Sequence, residues 1–261
     1  MNKINNEKEQ SKKYLLDTFS FDNYTLVEIS LKNVAKIEAM IINDSSYIKS
    51  VDKKAGPSYN YIGSTAYWMT ELKNYYDGNS TEQFEKIIKN AVIAVNNENS
   101  THLNADGVGI EQITNRLIPK ENSLKELLKN DNKEYELFKL ISNKTEVNDK
   151  YHKARKNPSF AWKFCHYASF YLFEGTEYQD NYSIYDTVLK KALPLYLSYY
   201  NLEMPNLNKY DEYQKAVDDI IRVSNSNVSR NGFDHLLWYY HKGRIWKSVH
   251  FQTVLLYKWV R

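Results

Sequence analysis

The sequence predicts an all-α protein, built as a two-lobed helical body. Three observations lead there. Eight Gly and five Pro in 261 residues are too few for a chain of short strands joined by tight turns. Apolar residues recur three and four positions apart through most of the chain, the period of a helix with one buried face. No tract of Gly, Ser or Pro separates the two halves, so they are expected to pack against each other as lobes.

The elements follow in order. Residues 1–20 open with MNKINNEKEQSKK, polar and charged, and read as a mobile tail. No apolar h-region follows it, so no signal peptide is expected. From 28 to 43, Ile29, Leu31, Val34, Ile37 and Met40 to Ile42 have helical spacing. AGPSYNYIGS (55–64) is a turn-rich connection. Helices are then expected over 65–77, 81–96, 109–118, 122–141 and 145–156, with Ser80 or Thr81 as N-cap of the second. NNENSTHLNADGVG (96–109) reads as a loop. The later half is denser in apolar residues and predicts helices over 158–173, 184–201, 209–224, 231–241 and 247–259, with little or no strand. The organisation expected is therefore a tail (1–20), an N-terminal helical lobe (21–150) and a C-terminal half (151–261).

Composition narrows the function classes. The lone Cys165 allows no intramolecular disulfide, no cysteine zinc site and no four-cysteine iron–sulfur cluster. The six His are scattered without metal-ligand spacing, so no metal and no cofactor are inferred. No run approaches the roughly 18 apolar residues of a membrane span, so no membrane partner is expected and the cytoplasm is the default location, with the chain a monomer. Net charge is +3, unevenly spread: residues 151–261 hold 15 Lys and Arg against 10 Asp and Glu, and residues 1–150 hold 20 against 22. The basic half is the one suited to face nucleic acid. The 23 Tyr supply large contact area with a polar tip, which suits cores, interfaces and base stacking alike.

Two segments carry candidate chemistry. In SFAWKFCHYASFYLF (159–173), Lys163 is the sole formal charge. A helix apolar on nearly every face is buried. A lysine within it must snorkel, pair with an acid or lose its proton, because an unpaired buried ammonium is costly. A neutral lysine in an aromatic pocket is a nucleophile able to form a Schiff base, whereas a lysine whose stem packs and whose amine reaches out is merely structural. Composition leaves both readings open. In NYSIYDTVLKKALPLYL (181–197), Ser183 and Asp186 have the S-x-x-D capping pattern, with Asp186 in the first helical turn. An acid there stabilises the helix dipole with or without catalysis.

Taken together the segments resemble the core of the helix-hairpin-helix DNA glycosylase superfamily, nearest its 8-oxoguanine glycosylase branch. That family's hairpin runs Pro-Gly-Val-Gly-x-Lys before an apolar helix, a loop and a catalytic Asp at the next helix start. Pro158-Ser159-Phe160-Ala161-Trp162-Lys163 keeps the Pro-to-Lys interval, and Ala161 to Tyr167 resembles an A-S-K-x-L-H-F pattern. Tyr182 to Val188 is similar to the family's F-P-I-Y-D-S-x-V, and FDHLLWYYHKGR (233–244) to a later I-D-x-x-L-W-x-x-G-K helix. The resemblance spans residues 155–244. It departs from the pattern where Ser159 and Ala161 replace both hairpin glycines, which alters the backbone contacts to a phosphate, and in a longer interval of 23 residues from Lys163 to Asp186.

The resemblance implies roles. Lys163 would attack C1′ of the target nucleotide, expelling the base, and the resulting imine would allow strand breakage by β-elimination. Asp186 would stabilise positive charge on the sugar. The base must leave the stack, and Tyr167, Phe233 and Trp238 are candidates to line its pocket. Lys153, Arg155, Lys156, Lys242, Arg244 and Lys247, with the backbone at Ser159 and Ala161, would contact DNA, either double-stranded with a flipped base or single-stranded. Each aromatic is equally readable as core, and each basic cluster as a solvated face.

Other signals compete. Gly107-Val108-Gly109 has better hairpin glycines, without a lysine or partner Asp at the right distance, and reads as a turn before a helix or a second phosphate-contacting loop. RNGFDH (230–235) matches the R-N-x-x-x-H form of the HEPN ribonuclease motif, with Arg230 and His235 as its residues, although Gly232 sits where a continuous helix is wanted. A catalytically silent, glycosylase-like DNA-binding protein is a third alternative.

Overall fold

A computed structural model of the chain describes residues 16–43, 64–99, 103, 108–129, 135–143, 145–146 and 154–241. Among the described residues the order is β1 (Thr18–Phe21), β2 (Tyr24–Val27), α1 (Leu31–Asn43), α2 (Thr65–Tyr76), α3 (Phe84–Asn99), α4 (Val108–Leu117), a 3-10 turn (Ile118–Lys120), α5 (Leu124–Lys129), α6 (Glu136–Ser142), β3 (Thr145–Glu146), β4 (Ala154–Arg155), α7 (Pro158–Leu172), a second 3-10 turn (Glu177–Asp180), α8 (Thr187–Tyr199), α9 (Tyr210–Ser224) and α10 (Arg230–His241). The described residues thus form a multi-helix fold with two small antiparallel strand pairs, β1–β2 and β3–β4. None of the described helices is long and apolar enough to cross a membrane.

The chain divides into two units by its contacts, at 45/46 and 184/185. The first unit joins the described residues 16–43 to 185–241, because α1 packs on α10, and α10 on α8. The second takes the chain between them.

In the second unit, α3 buries Phe84, Ile87, Ile88, Ala91, Val92 and Val95, spaced to fall on one helical face. That face meets α2, which buries Met69 and Leu72, and also packs on α7. Each fully buried aliphatic side chain here stabilises by about 1.5–3 kcal/mol relative to exposure. α6 packs on α7 through Phe138, stacked on Trp162 with ring centroids 3.7 Å apart.

In the first unit, Asn33 is fully buried at the base of the hairpin. Its Oδ1 accepts from the Asp17 amide at 2.9 Å, and its Nδ2 donates to the carbonyls of Asp17 (2.9 Å) and Glu28 (2.7 Å). One amide side chain thereby binds three backbone groups at the base of the hairpin, the Asp17 carbonyl also accepting from the Glu28 amide at 2.9 Å. Tyr196 of α8 makes a second clasp: its hydroxyl accepts from the Val27 amide and donates to the Val27 carbonyl, both at 3.1 Å. Gly232 lets α10 approach α1, since a Cβ there would lie 3.0 Å from Val34 Cγ1.

Three differences from the sequence expectation have physical reasons. Residues 18–20 belong to a hairpin rather than a tail. Thr18 to Phe21 and Tyr24 to Val27 are rich in β-branched and aromatic residues, and Asp22 takes a φ of 51° at the turn, which Asp tolerates. The single helix expected over 122–141 is broken, with Tyr135 in a left-handed conformation (φ 47°) that a continuous α-helix does not contain. Over 145–156 the described residues form β3 and β4, pairing Thr145 with Arg155 and Glu146 with Ala154. The element described immediately before α7 is therefore a strand, where a helix-hairpin-helix would have a helix. The helix expected over 247–259 lies outside the described residues.

Candidate functional site

α7 begins at Pro158, whose missing N–H and fixed φ suit the first helical position. Past the first turn its residues are buried except for one stripe. Lys163, Tyr167, Phe170 and Tyr171, at i, i+4, i+7 and i+8, are half-buried. A single face of α7 thus presents one amine and three aromatic rings. Lys163 sits on that stripe and not within the buried faces, which is the snorkelling arrangement of an amphipathic stem.

The stripe is tied to the end of α3. Lys163 Nζ donates to the carbonyl oxygen of Asn99 at 3.3 Å, and the Tyr167 hydroxyl donates to Asn99 Oδ1 at 3.1 Å. Asn99 Nδ2 in turn donates to the Val95 carbonyl at 3.0 Å. A cation on the last carbonyls of a helix is favoured by the negative end of its dipole. On the neighbouring face of α7, His166 Nδ1 lies 2.7 Å from the Tyr182 carbonyl, which can only accept, so Nδ1 carries the proton. Trp162 also meets the Tyr182 ring, at 6.1 Å. These two contacts hold the segment that leads towards Asp186. Burial pushes the Tyr171 phenol up from its ordinary pKa, helped by the carboxylates of Glu98 and Glu174.

Asp186 is the N-cap of α8, with extended backbone (φ −131°, ψ 167°). Its Oδ1 accepts from the amides of Val188 (2.7 Å) and Leu189 (2.9 Å). The expectation of Ser183 as cap, with Asp186 inside the first turn, is corrected: Asp186 caps, and Ser183 lies buried three residues ahead. Asp supplies this cap well because its short carboxylate reaches the second and third amides. On either side of it, Tyr185 donates to the Leu207 carbonyl at 3.1 Å, and Lys190 reaches both the Tyr185 hydroxyl (3.1 Å) and Asn208 Oδ1 (2.9 Å).

The remaining residues singled out in the sequence scatter. Lys163 and Tyr167 come together against Asn99, whereas Asp186 belongs to the other unit. Phe233 is fully buried in the core of its unit, and Trp238 is half-buried beside Tyr239. Lys156 and Ser159 are exposed. Ala161 is buried, and its amide already donates to the Asn157 carbonyl at 3.1 Å, so it has no N–H for a phosphate. Arg155 pairs through its backbone in β4. Lys153, Lys242, Arg244 and Lys247 lie outside the described residues, as does Gly107, while Val108 and Gly109 open α4.

α10 runs unbroken through Gly232, so Arg230 and His235 stand on one helix. The Arg230 guanidinium grips Asp218 of α9 with two bonds, Nε to Oδ1 at 2.7 Å and Nη2 to Oδ2 at 2.8 Å. His235 is half-buried with its ring against Tyr239.

Sequence reasoning did not single out Asn99, Phe170 or Tyr171. Asn99 was legible only as a polar residue in a tract that reads as loop, while Phe170 and Tyr171 share the helical spacing of Lys163 and could have been found by it. No family model, curated protein or solved structure matches this chain.

Proposed function

We propose that the protein is a DNA glycosylase with lyase activity, removing a damaged or modified base of the 8-oxoguanine kind or another. Lys163 is its nucleophile and Asp186 the acid that stabilises charge on the sugar. The amine forms a bond to C1′ as the glycosidic bond breaks and its electron pair leaves with the base. The imine formed on sugar-ring opening then permits loss of the 2′ proton and the 3′ phosphate. The observation that supports this best is the half-buried stripe of α7, where one amine accompanies three aromatic rings on which an extruded base can stack. The reading also draws on the sequence resemblance over residues 155–244, against which stand the strand described immediately before α7 and the Ala161 amide already bonded within the helix.

Structural work alone would also account for both residues, since Lys163 closes the end of α3 and Asp186 caps α8. Capping engages one carboxylate oxygen, Oδ1. The experiment that separates chemistry from capping is trapping. The protein is incubated with duplex and single-stranded DNA carrying 8-oxoguanine or an abasic site, and borohydride is added. A covalent adduct that Lys163→Gln abolishes supports the glycosylase–lyase. DNA binding with no adduct and no base release supports a catalytically silent DNA-binding protein.

A second reading draws on one observation, the continuity of α10 through Gly232. A HEPN-type ribonuclease would use Arg230 and His235 from two copies of the chain. The grip of Asp218 on Arg230 weighs against it, because a guanidinium so held is first of all a structural tie between α9 and α10. RNA cleavage lost in His235→Ala and unaffected by Lys163→Gln would favour this reading over the first.

A further inference from the structure

Asn99 holds two members of the α7 stripe at once, through different oxygens. Its carbonyl takes the Lys163 amine at 3.3 Å, and its side-chain oxygen takes the Tyr167 hydroxyl at 3.1 Å. The side chain is itself fixed, because Nδ2 donates to the Val95 carbonyl one turn back. Lys163 and Tyr167 are one turn apart on α7, and Asn99 is the last residue of α3. Both side chains are thus referred to a single residue on a helix whose preceding turns are packed into the core.

We infer that Asn99 is a positioning residue of the proposed site, setting the Lys163 amine and the Tyr167 ring at a fixed separation. The inference rests on the glycosylase reading for its meaning, and on the three hydrogen bonds for its geometry. A carbonyl accepts a hydrogen bond from an amine in either protonation state but cannot take its proton. Asn99 therefore orients Lys163 without acting as its base. Tyr167, held by its hydroxyl, presents its ring beside the amine, where a base leaving C1′ would need a flat apolar neighbour. A nucleophile and a stacking ring tied to one residue move together or not at all, as a near-attack arrangement requires.

The test uses the full chain and four variants: Asn99→Ala, Asn99→Asp, Tyr167→Phe and the Asn99→Ala/Tyr167→Phe double variant. Asp keeps an acceptor for the Tyr167 hydroxyl. Circular dichroism and thermal unfolding establish that each variant is folded. Single-turnover borohydride trapping is followed at saturating abasic DNA, and Kd is measured separately. Asn99→Ala keeps the backbone carbonyl that takes Lys163 and removes the side-chain bonds to Tyr167 and Val95, so the loss of Tyr167 positioning is expected to slow trapping about tenfold or more with Kd little changed. Asn99→Asp should recover most of the rate, and the double variant should be no slower than Asn99→Ala alone, because both substitutions cut the same tie. A wild-type adduct lost in Lys163→Gln but unaffected by Asn99→Ala overturns the inference while leaving the glycosylase reading intact. So do multiplicative effects in the double variant. If wild type forms no adduct, the glycosylase reading fails, and the tie is judged by a readout that needs no DNA. The rate of Lys163 acylation by an amine-reactive ester, followed by mass spectrometry as a function of pH, should change alike in Asn99→Ala, Tyr167→Phe and the double variant, and Asn99→Asp should move its pH dependence upward because a carboxylate beside the amine favours the ammonium form. An acylation profile identical in all four variants overturns the inference.

Discussion

Lys163 Nζ lies 3.3 Å from the carbonyl oxygen of Asn99, so a side chain of α7 closes the end of α3. This tie has a stability of its own, apart from any chemistry. Lys163→Met keeps the packed stem and removes the donor, and is expected to cost about 0.5–1.5 kcal/mol. Urea denaturation of the two proteins measures it. An unchanged midpoint would mean that the amine contributes nothing to the fold, leaving function as the reason for a charge on this helix.

Asp186 offers a cleaner separation of structure from chemistry. Asp186→Ala removes the N-cap of α8 and is expected to cost about 1 kcal/mol, within a range of roughly 0.5–2. Asn caps nearly as well as Asp, so Asp186→Asn should keep the stability. If that variant keeps its midpoint but loses the borohydride adduct, the negative charge is needed for reaction. If it keeps both, Asp186 is a cap and nothing more.

Tyr196 joins α8 to β2 through both backbone groups of Val27. Its single proton goes to the Val27 carbonyl, and its oxygen accepts from the Val27 amide. His241 Nε2, 3.4 Å away, completes the set as a donor when it carries the ring proton. Burial pushes the Tyr196 phenol well above its ordinary range, so it stays protonated in the fold. Tyr196→Phe strands a buried N–H and C=O and should cost about 1–3 kcal/mol in thermal or urea unfolding. A loss near zero would show that water replaces the hydroxyl.

His241 predicts a pH dependence. Burial lowers its pKa from an ordinary 6.5 to about 3, so the fold holds the ring neutral. Above pH 6.5 the ring is neutral in folded and unfolded chains alike, and its full contribution to stability is present. As pH falls below 6.5 the unfolded chain takes up the proton first. Stability then declines by up to about 1.4 kcal/mol per pH unit until the folded ring also protonates near the lower value. Since carboxylates titrate in the same acid range, the measurement is a difference: urea midpoints of wild type and His241→Phe from pH 7.5 to 4.5. The wild type should lose more stability than the variant across that span. Parallel curves would refute the buried neutral histidine.

Periodicity carried most of the helical architecture. α7, α9 and α10 begin and end within one residue of the spans read from spacing, and α1 and α2 differ only at an end, because their apolar residues recur at helical intervals and their caps and Pro158 are local. The breaks were less legible. The positive φ of Tyr135, which divides 122–141, belongs to a residue type that rarely adopts it and so leaves no signature. The β1–β2 hairpin had a signal in Thr18–Phe21 and Tyr24–Val27, weak because four-residue strands are too short for alternation to stand out. In the candidate site, Lys163 was conspicuous as the lone charge of an apolar helix. Its partner Asn99, 64 positions earlier, was not.

Local chemistry within a few residues settled where α7 starts, that a capping segment with Ser183 and Asp186 opens α8, and which side chain of α7 stands out from its apolar background. Packing between distant segments settled the rest. It made the chain's opening hairpin and α1 part of the same unit as α8 to α10, put Phe233 in a core, and brought the end of α3 under Lys163 and Tyr167. The reason is physical: a periodic pattern specifies that a face will be buried without naming its partner, and a hydrogen bond between residues 64 apart exists only once both helices have found their places.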